Sequence, residues 1–169
     1  DYPSIDPDAK PSIRNKSKLA LVRTVVWYLE KFKDDIAETV ILADGRPAME
    51  VSFKFELDWG PGAYPEGRDA SGVPLVFPGT QPYLLCGHLD RVVRFNDELF
   101  VMDRKTTTTT PSEYYFNQYE PNNQMTLYTL AGQIILKSPV KGVIIDVAQV
   151  AVGFSRFVRG ITYRSPDQI

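Results

Sequence analysis

The chain is poor in the residues that hold metals through nitrogen or sulfur. Its 169 residues include one cysteine, Cys86, and one histidine, His88. A lone cysteine excludes an intrachain disulfide framework and any four-cysteine zinc or iron–sulfur centre. No run of about 18 apolar residues is present, so a membrane-spanning helix is not expected. No apolar leader stands near the start, and the sequence opens on Asp1 rather than Met, as an excised or processed piece would. A glycine-rich phosphate loop is missing too, which excludes a helicase or ATPase motor in this segment. Net positive charge is also lacking. The formal balance is −2, against indiscriminate coating of nucleic acid.

What is there can build a core. Hydrophobic residues make up 43% of the chain and net charge is near zero, which excludes intrinsic disorder. The charge is uneven. Residues 1–103 hold 12 basic and 17 acidic side chains, whereas residues 104–169 hold 7 and 4. Any cationic surface is therefore expected in the second part.

Pro3, Pro7 and Pro11 mark residues 1–16 as an extended arm, with one domain over residues 17–169. Ser17 is an N-cap residue, and Leu19, Val22, Val25, Val26, Leu29 and Phe32 recur at helical spacing. This predicts a helix to about Lys33 with that apolar face buried. Met49, Val51, Phe53, Phe55 and Leu57 alternate with polar residues, which predicts a strand carrying Glu50 on its polar face. Residues 58–82 contain ten Gly or Pro and read as a long loop. Two strands, Tyr83 to about Phe95 and Glu98 to about Thr107, flank an Asn96-Asp97 turn. Asn122 or Asn123 caps a helix to about Leu136. Val140–Val152 reads as a buried strand and Phe157–Arg164 as an edge strand. The order predicts an α/β or α+β fold, a central mixed sheet flanked by helices.

If Asn96 and Asp97 are the central turn residues, Asp90 and Asp103 stand directly opposite each other. Cross-strand Cβ atoms lie about 4.5–5.5 Å apart, and two carboxylates that close repel. A divalent cation between them resolves the conflict, and hard oxygen donors suit magnesium or manganese. Lys105 shares the face of Asp103, where an ammonium could serve a water nucleophile or a phosphate charge. A solvated hairpin face screened by Lys105 is the plain alternative. The apolar stretches Leu84-Leu85-Cys86 and Leu99-Phe100-Val101-Met102 count against it.

Gly87-His88-Leu89-Asp90, then Asp103-Arg104-Lys105-Thr106, then Gln124-Met125-Thr126-Leu127-Tyr128 carry a resemblance. In this order they resemble the PD-(D/E)xK nuclease superfamily, and more narrowly its RecB-type exonuclease branch, over Met49 to Val152. That branch has a Gly-x-x-Asp strand, an Asp/Glu-x-Lys strand and a Gln-x-x-x-Tyr helix. The resemblance implies a restriction-endonuclease-like core and a magnesium- or manganese-dependent phosphodiesterase acting on DNA. Asp90 and Asp103 would be ligands, with the Arg104 carbonyl as a further one, and Lys105 would serve the attacking water. Gln124 and Tyr128 would brace the site or contact DNA. Glu50 is the best match to the branch's first acidic motif. The upstream histidine common in the branch is absent, because His88 is the only histidine. His88 itself reads either as a group near the metal or as a hydrogen-bonded structural residue.

For DNA contacts the sequence offers Arg91, Arg94, Arg104 and Lys105 on the hairpin and Arg156, Arg159 and Arg164 near the end. The Thr106–Thr110 run adds hydroxyl and backbone donors. Tyr114, Tyr115, Phe116 and Tyr119 could stack on bases or pack in the core. The expected activity is exonuclease-like DNA hydrolysis in repair or recombination. It could run within a larger complex, in a bacterial or phage-infected cytoplasm, without a membrane partner. A DNA-binding module of the same fold without turnover is the rival, and a small phosphate-ester hydrolase a third reading.

Overall fold

Ser17 opens the first helix for the reason its type implies: its hydroxyl accepts the Ala20 N–H at 3.2 Å. In the computed structural model, which describes residues 17–57, 71 and 83–169, helix α1 runs Lys18–Lys31. There follow β1 (Glu38–Thr39), β2 (Met49–Leu57), β3 (Tyr83–Phe95), β4 (Glu98–Thr107), α2 (Glu113–Asn117), α3 (Asn123–Leu136), β5 (Val140–Val150) and β6 (Ser155–Tyr163). A 3-10 turn at Pro166–Gln168 closes the order. The N-terminal arm and the 58–82 loop lie outside the described residues, Ser71 apart.

Contacts group the described chain into two units. One holds residues 17–50 with Leu89–Ile169, the other Val51–His88. β3 contributes to both. In the smaller unit Phe53 stacks on Phe55, ring centroids 5.1 Å apart. A Cβ at Gly87 would stand 2.6 Å from the Phe53 ring, so the glycine of Gly-His-Leu-Asp has a packing reason. His88 Nδ1 lies 3.0 Å from Ser52 Oγ, the hydrogen-bonded alternative for this residue.

The larger unit carries a mixed sheet of order β1-β3-β4-β5-β6; β2 pairs with β3. β4 and β5 are parallel, joined through α2 and α3, while β1–β3, β3–β4 and β5–β6 are antiparallel. The β3–β4 turn is the expected one. Asn96 and Asp97 both have left-handed φ, 50° and 62°, as a two-residue hairpin loop needs. Val92 pairs with Val101 and Arg91 with Met102, so the next step sets Asp90 across from Asp103.

Alternation along β4 sends Val101, Asp103 and Lys105 to one face and Phe100, Met102 and Arg104 to the other. α3 covers the first face, with Gly132 against Val101 and Val140. The second face holds a core of Ala37, Val93, Phe100, Met102 and Ile144. α1 packs there against β5 and β6. Burying the apolar surface of such a core stabilises by roughly 25 cal/mol per Å².

One expectation fails at α1. Leu19, Val22, Val25, Val26 and Leu29 are each at least half exposed. The helix buries Ala20 and Thr24 instead. Phe32 alone of that face packs inward, on Phe157, and the rest of the surface beneath the helix is polar. Thr24 Oγ1 meets Ser155 Oγ at 2.7 Å, Tyr28 donates to Asp146, and Arg23 donates to the carbonyls of Ala151, Val152 and Phe154. A small, polar helix face matches that ground better than an aliphatic one.

Candidate active site

β4 delivers Asp103 and Lys105 to the face under α3, and β3 delivers Asp90 beside them. Asp103 is 2% exposed. Lys105 Nζ donates to its Oδ1 at 3.1 Å and lies 2.8 Å from Oδ2, so one ammonium sits against both oxygens. Burial pushes the Asp103 carboxyl above its usual range. Lys105 works against that rise, and the Asp90 charge adds to it. Burial likewise disfavours the Lys105 charge, but the Asp103 carboxylate outweighs it and holds the amine protonated. Asp90 is half buried and accepts the Arg104 backbone N–H through Oδ2 at 2.9 Å. The Arg104 backbone therefore spans the two carboxylates.

α3 starts where its cap predicts, with the Asn122 side chain accepting the Gln124 and Met125 N–H groups. Gln124 and Tyr128 lie one turn apart, and Gln124 Nε2 donates to Tyr128 Oη at 3.2 Å. Burial raises the Tyr128 hydroxyl pKa, and the charges of Asp103 and Asp90 add to the rise. So Asp90, Asp103, Lys105, Gln124 and Tyr128 come together as expected. Tyr119 joins them. It is 8% exposed, and its hydroxyl is raised by burial, by the Tyr115 hydroxyl and by the charge of Asp103. Sequence reading offered Tyr119 only as one of four aromatics, and its spacing carries no signal of this position.

Glu50 is not brought into this cluster as a third carboxylate. Among the described residues no three His, Cys, Asp or Glu side chains gather as a metal site. Glu50 is exposed near the start of β2, with left-handed φ of 50°. The Val92 N–H bond to the Ala48 carbonyl, 2.8 Å, ties the chain two residues before Glu50 to the position two residues after Asp90.

The expected arginine surface is largely corrected. Arg91 is engaged by Thr39, the Ala37 carbonyl and Asp35. Arg159 grips Asp35 through two bonds of 2.7 and 2.8 Å. Arg164 is 7% exposed and donates to Thr126, Thr162 and the carbonyls of Tyr119, Asn122 and Tyr163. These three guanidiniums hold the fold. Arg104 points to the reverse face, onto Tyr28 and Asp146. Arg94 and Arg156 stay exposed, as do Thr106 and Thr108–Thr110. Tyr114 is 87% exposed, while Phe116 fills the space above Gly160.

The sequence model of the PD-(D/E)XK nuclease superfamily matches residues 8–160. The chain belongs to this superfamily. The mixed sheet with flanking helices is the core such nucleases share, and the match supports a nuclease-like function. A comparison with curated proteins gives no match. Among the described residues no helix is long and apolar enough to cross a membrane.

Proposed function

We propose that this chain is a metal-dependent deoxyribonuclease of the RecB type that hydrolyses DNA phosphodiester bonds from an end. The observation that carries this reading is Asp103: buried, paired to Lys105, and opposite the second carboxylate of Asp90. Two carboxylates this close, one of them buried, call for more positive charge than one ammonium supplies. Two carboxylates and the Arg104 carbonyl are hard oxygen donors, which fits magnesium or manganese. Asp90, Asp103 and that carbonyl would hold the ion. Glu50 stands outside this pair, and Glu50→Gln tests whether it takes any part in metal binding, by the metal concentration that half-saturates cleavage.

When bound, the ion supplies Lewis-acid polarisation of the phosphate and makes hydroxide easier to form from water. The protein's own groups do the rest. Lys105 donates to a phosphate oxygen and to the attacking water. Tyr128 and Gln124 brace the far side through their mutual hydrogen bond. Exposed Thr106, Thr108, Thr109 and Thr110 offer hydroxyls to the DNA backbone just past Lys105. We place the whole of residues 17–169 in one nuclease domain, preceded by the arm. It would act in recombination or repair, alone or in a larger complex, in a bacterial or phage-infected cytoplasm where Cys86 stays reduced.

The test is end-labelled linear DNA against covalently closed circular DNA, with magnesium and with chelator. Linear DNA is expected to be degraded only with magnesium, and circular DNA spared. Cleavage that persists in chelator contradicts the metal requirement. A DNA-binding module without turnover is the second reading, favoured by the gathering of only two carboxylates. It predicts DNA retention with no cleavage of either substrate.

A further inference from the structure

The face of the sheet opposite the site holds a chain of charged groups that ends on both catalytic strands. Arg91 directly follows Asp90, and its Nη1 lies 3.8 Å from Asp35 Oδ2. Asp35 is gripped by Arg159. Arg159 Nε donates to Asp146 Oδ1 at 3.2 Å. Asp146 Oδ2 accepts the Tyr28 hydroxyl and lies 3.5 Å from Arg104 Nη2. Arg104 Nη2 also donates to Tyr28 Oη at 2.8 Å, and its guanidinium carbon stands 4.3 Å from the centroid of that ring. Arg104 sits between Asp103 and Lys105, and its backbone N–H returns to Asp90. The circuit closes through the sheet.

We infer that this reverse-face chain, through Tyr28 and Arg104, is a clamp that positions Asp90 and Asp103 for the metal. The inference rests on the metal-site reading above. Two carboxylates across a hairpin repel, and the single ammonium of Lys105 offsets only part of that repulsion. Left alone, β3 and β4 would relieve that repulsion by splaying, and each metal-binding event would then have to draw them back. Arg91 and Arg104 are the reverse-face residues next to the two aspartates; Arg91 is anchored to Asp35 and Arg104 to the buried Asp146, and Arg159 links those two carboxylates. The side chains of the clamp hold the donors ready without touching the metal, as groups outside the ligand set commonly do. Tyr28 and Arg104 are thus positioning residues. Tyr28 lies wholly on α1, away from the reacting face, so its part is separable from the chemistry.

Four proteins test this: wild type, Tyr28→Phe, Arg104→Ala, and Arg104→Lys as the conservative partner of the last. Manganese binding is read by calorimetry, and backbone exchange of 88–106 by hydrogen–deuterium exchange without metal. Tyr28→Phe is expected to weaken manganese about 10-fold, and Arg104→Ala about 10- to 100-fold. Arg104→Lys is expected to recover part of the loss. For Tyr28→Phe the magnesium needed for half-maximal cleavage should rise while kcat at saturating metal stays within about 3-fold. Exchange at 90 and 104 should speed by about 10-fold or more in Tyr28→Phe, with α3 unchanged. Manganese affinity and exchange both at wild-type values overturn the clamp. If the wild type binds no manganese, the metal reading fails on its own, and exchange alone decides whether the clamp holds the strands.

Discussion

Asp103 and Asp146 are both almost wholly buried, on neighbouring strands of one sheet, and their surroundings are opposite. Asp146 faces α1 and is surrounded by donors: Tyr28, Arg159 and Arg104. Asp103 faces α3 and has one ammonium, Lys105, beside it and a second carboxylate across the ladder. The same residue type is a keystone on one face and a candidate metal ligand on the other. Donor count makes the difference, because a buried carboxylate stabilises only when its lone pairs are met.

That contrast can be broken by mutation. Asp146→Asn should destabilise by about 3–5 kcal/mol in urea unfolding, because it leaves two guanidiniums facing a neutral amide. A loss below about 1 kcal/mol would make the reverse-face network dispensable. Metal should act only on the other face. Manganese at 100 times its Kd should add about 2.7 kcal/mol of stability in wild type and little in Asp103→Asn. An equal shift in the two proteins would move the metal elsewhere.

Acid sharpens the contrast. Burial opposes the Asp35 charge, but the Arg159 hydrogen bonds and charge outweigh it and hold that carboxyl below its usual range. A depressed folded pKa gives stability that is present above the unfolded value and lost as pH falls through the folded one. Melting temperature should therefore fall as pH drops below about 4, and Asp35→Asn should flatten that limb. A variant that keeps the full acid limb would assign it to other carboxylates. The smallest effect belongs to the exposed aliphatic stripe of α1. Val22→Ser should stay within about 0.5 kcal/mol. A loss above about 1.5 kcal/mol would mean that the stripe is covered in solution.

The site was more legible in the sequence than the helix beside it. Two adjacent turn residues set the hairpin register, and register alone put Asp90 across from Asp103. Asn122 set the start of α3 and so the place of Gln124 and Tyr128. Glu50 was visible as a strand residue, but no local pattern foretold its left-handed backbone. α1 misled because periodicity shows which residues share a face, not which face meets the sheet. The ground beneath it is polar for reasons written on β5 and β6. Asp146 held the clue: a lone charge inside Val143-Ile144-Ile145-Asp146-Val147 must be paired if that strand is buried. Arginine counts misled for a related reason. Arg91, Arg159 and Arg164 look like DNA contacts in a tally, yet their partners are distant in sequence. The short β1 and α2 carry too few residues for a period.

The most direct measurement is the magnesium-dependent cleavage rate of labelled linear DNA by Asp103→Asn, beside its melting temperature without metal. The account predicts a loss of about 10³-fold or more in rate, with melting at or above wild type, because the variant removes a buried charge that the metal-free fold only partly satisfies. Cleavage within about 10-fold of wild type, from a protein that is equally folded, would contradict it.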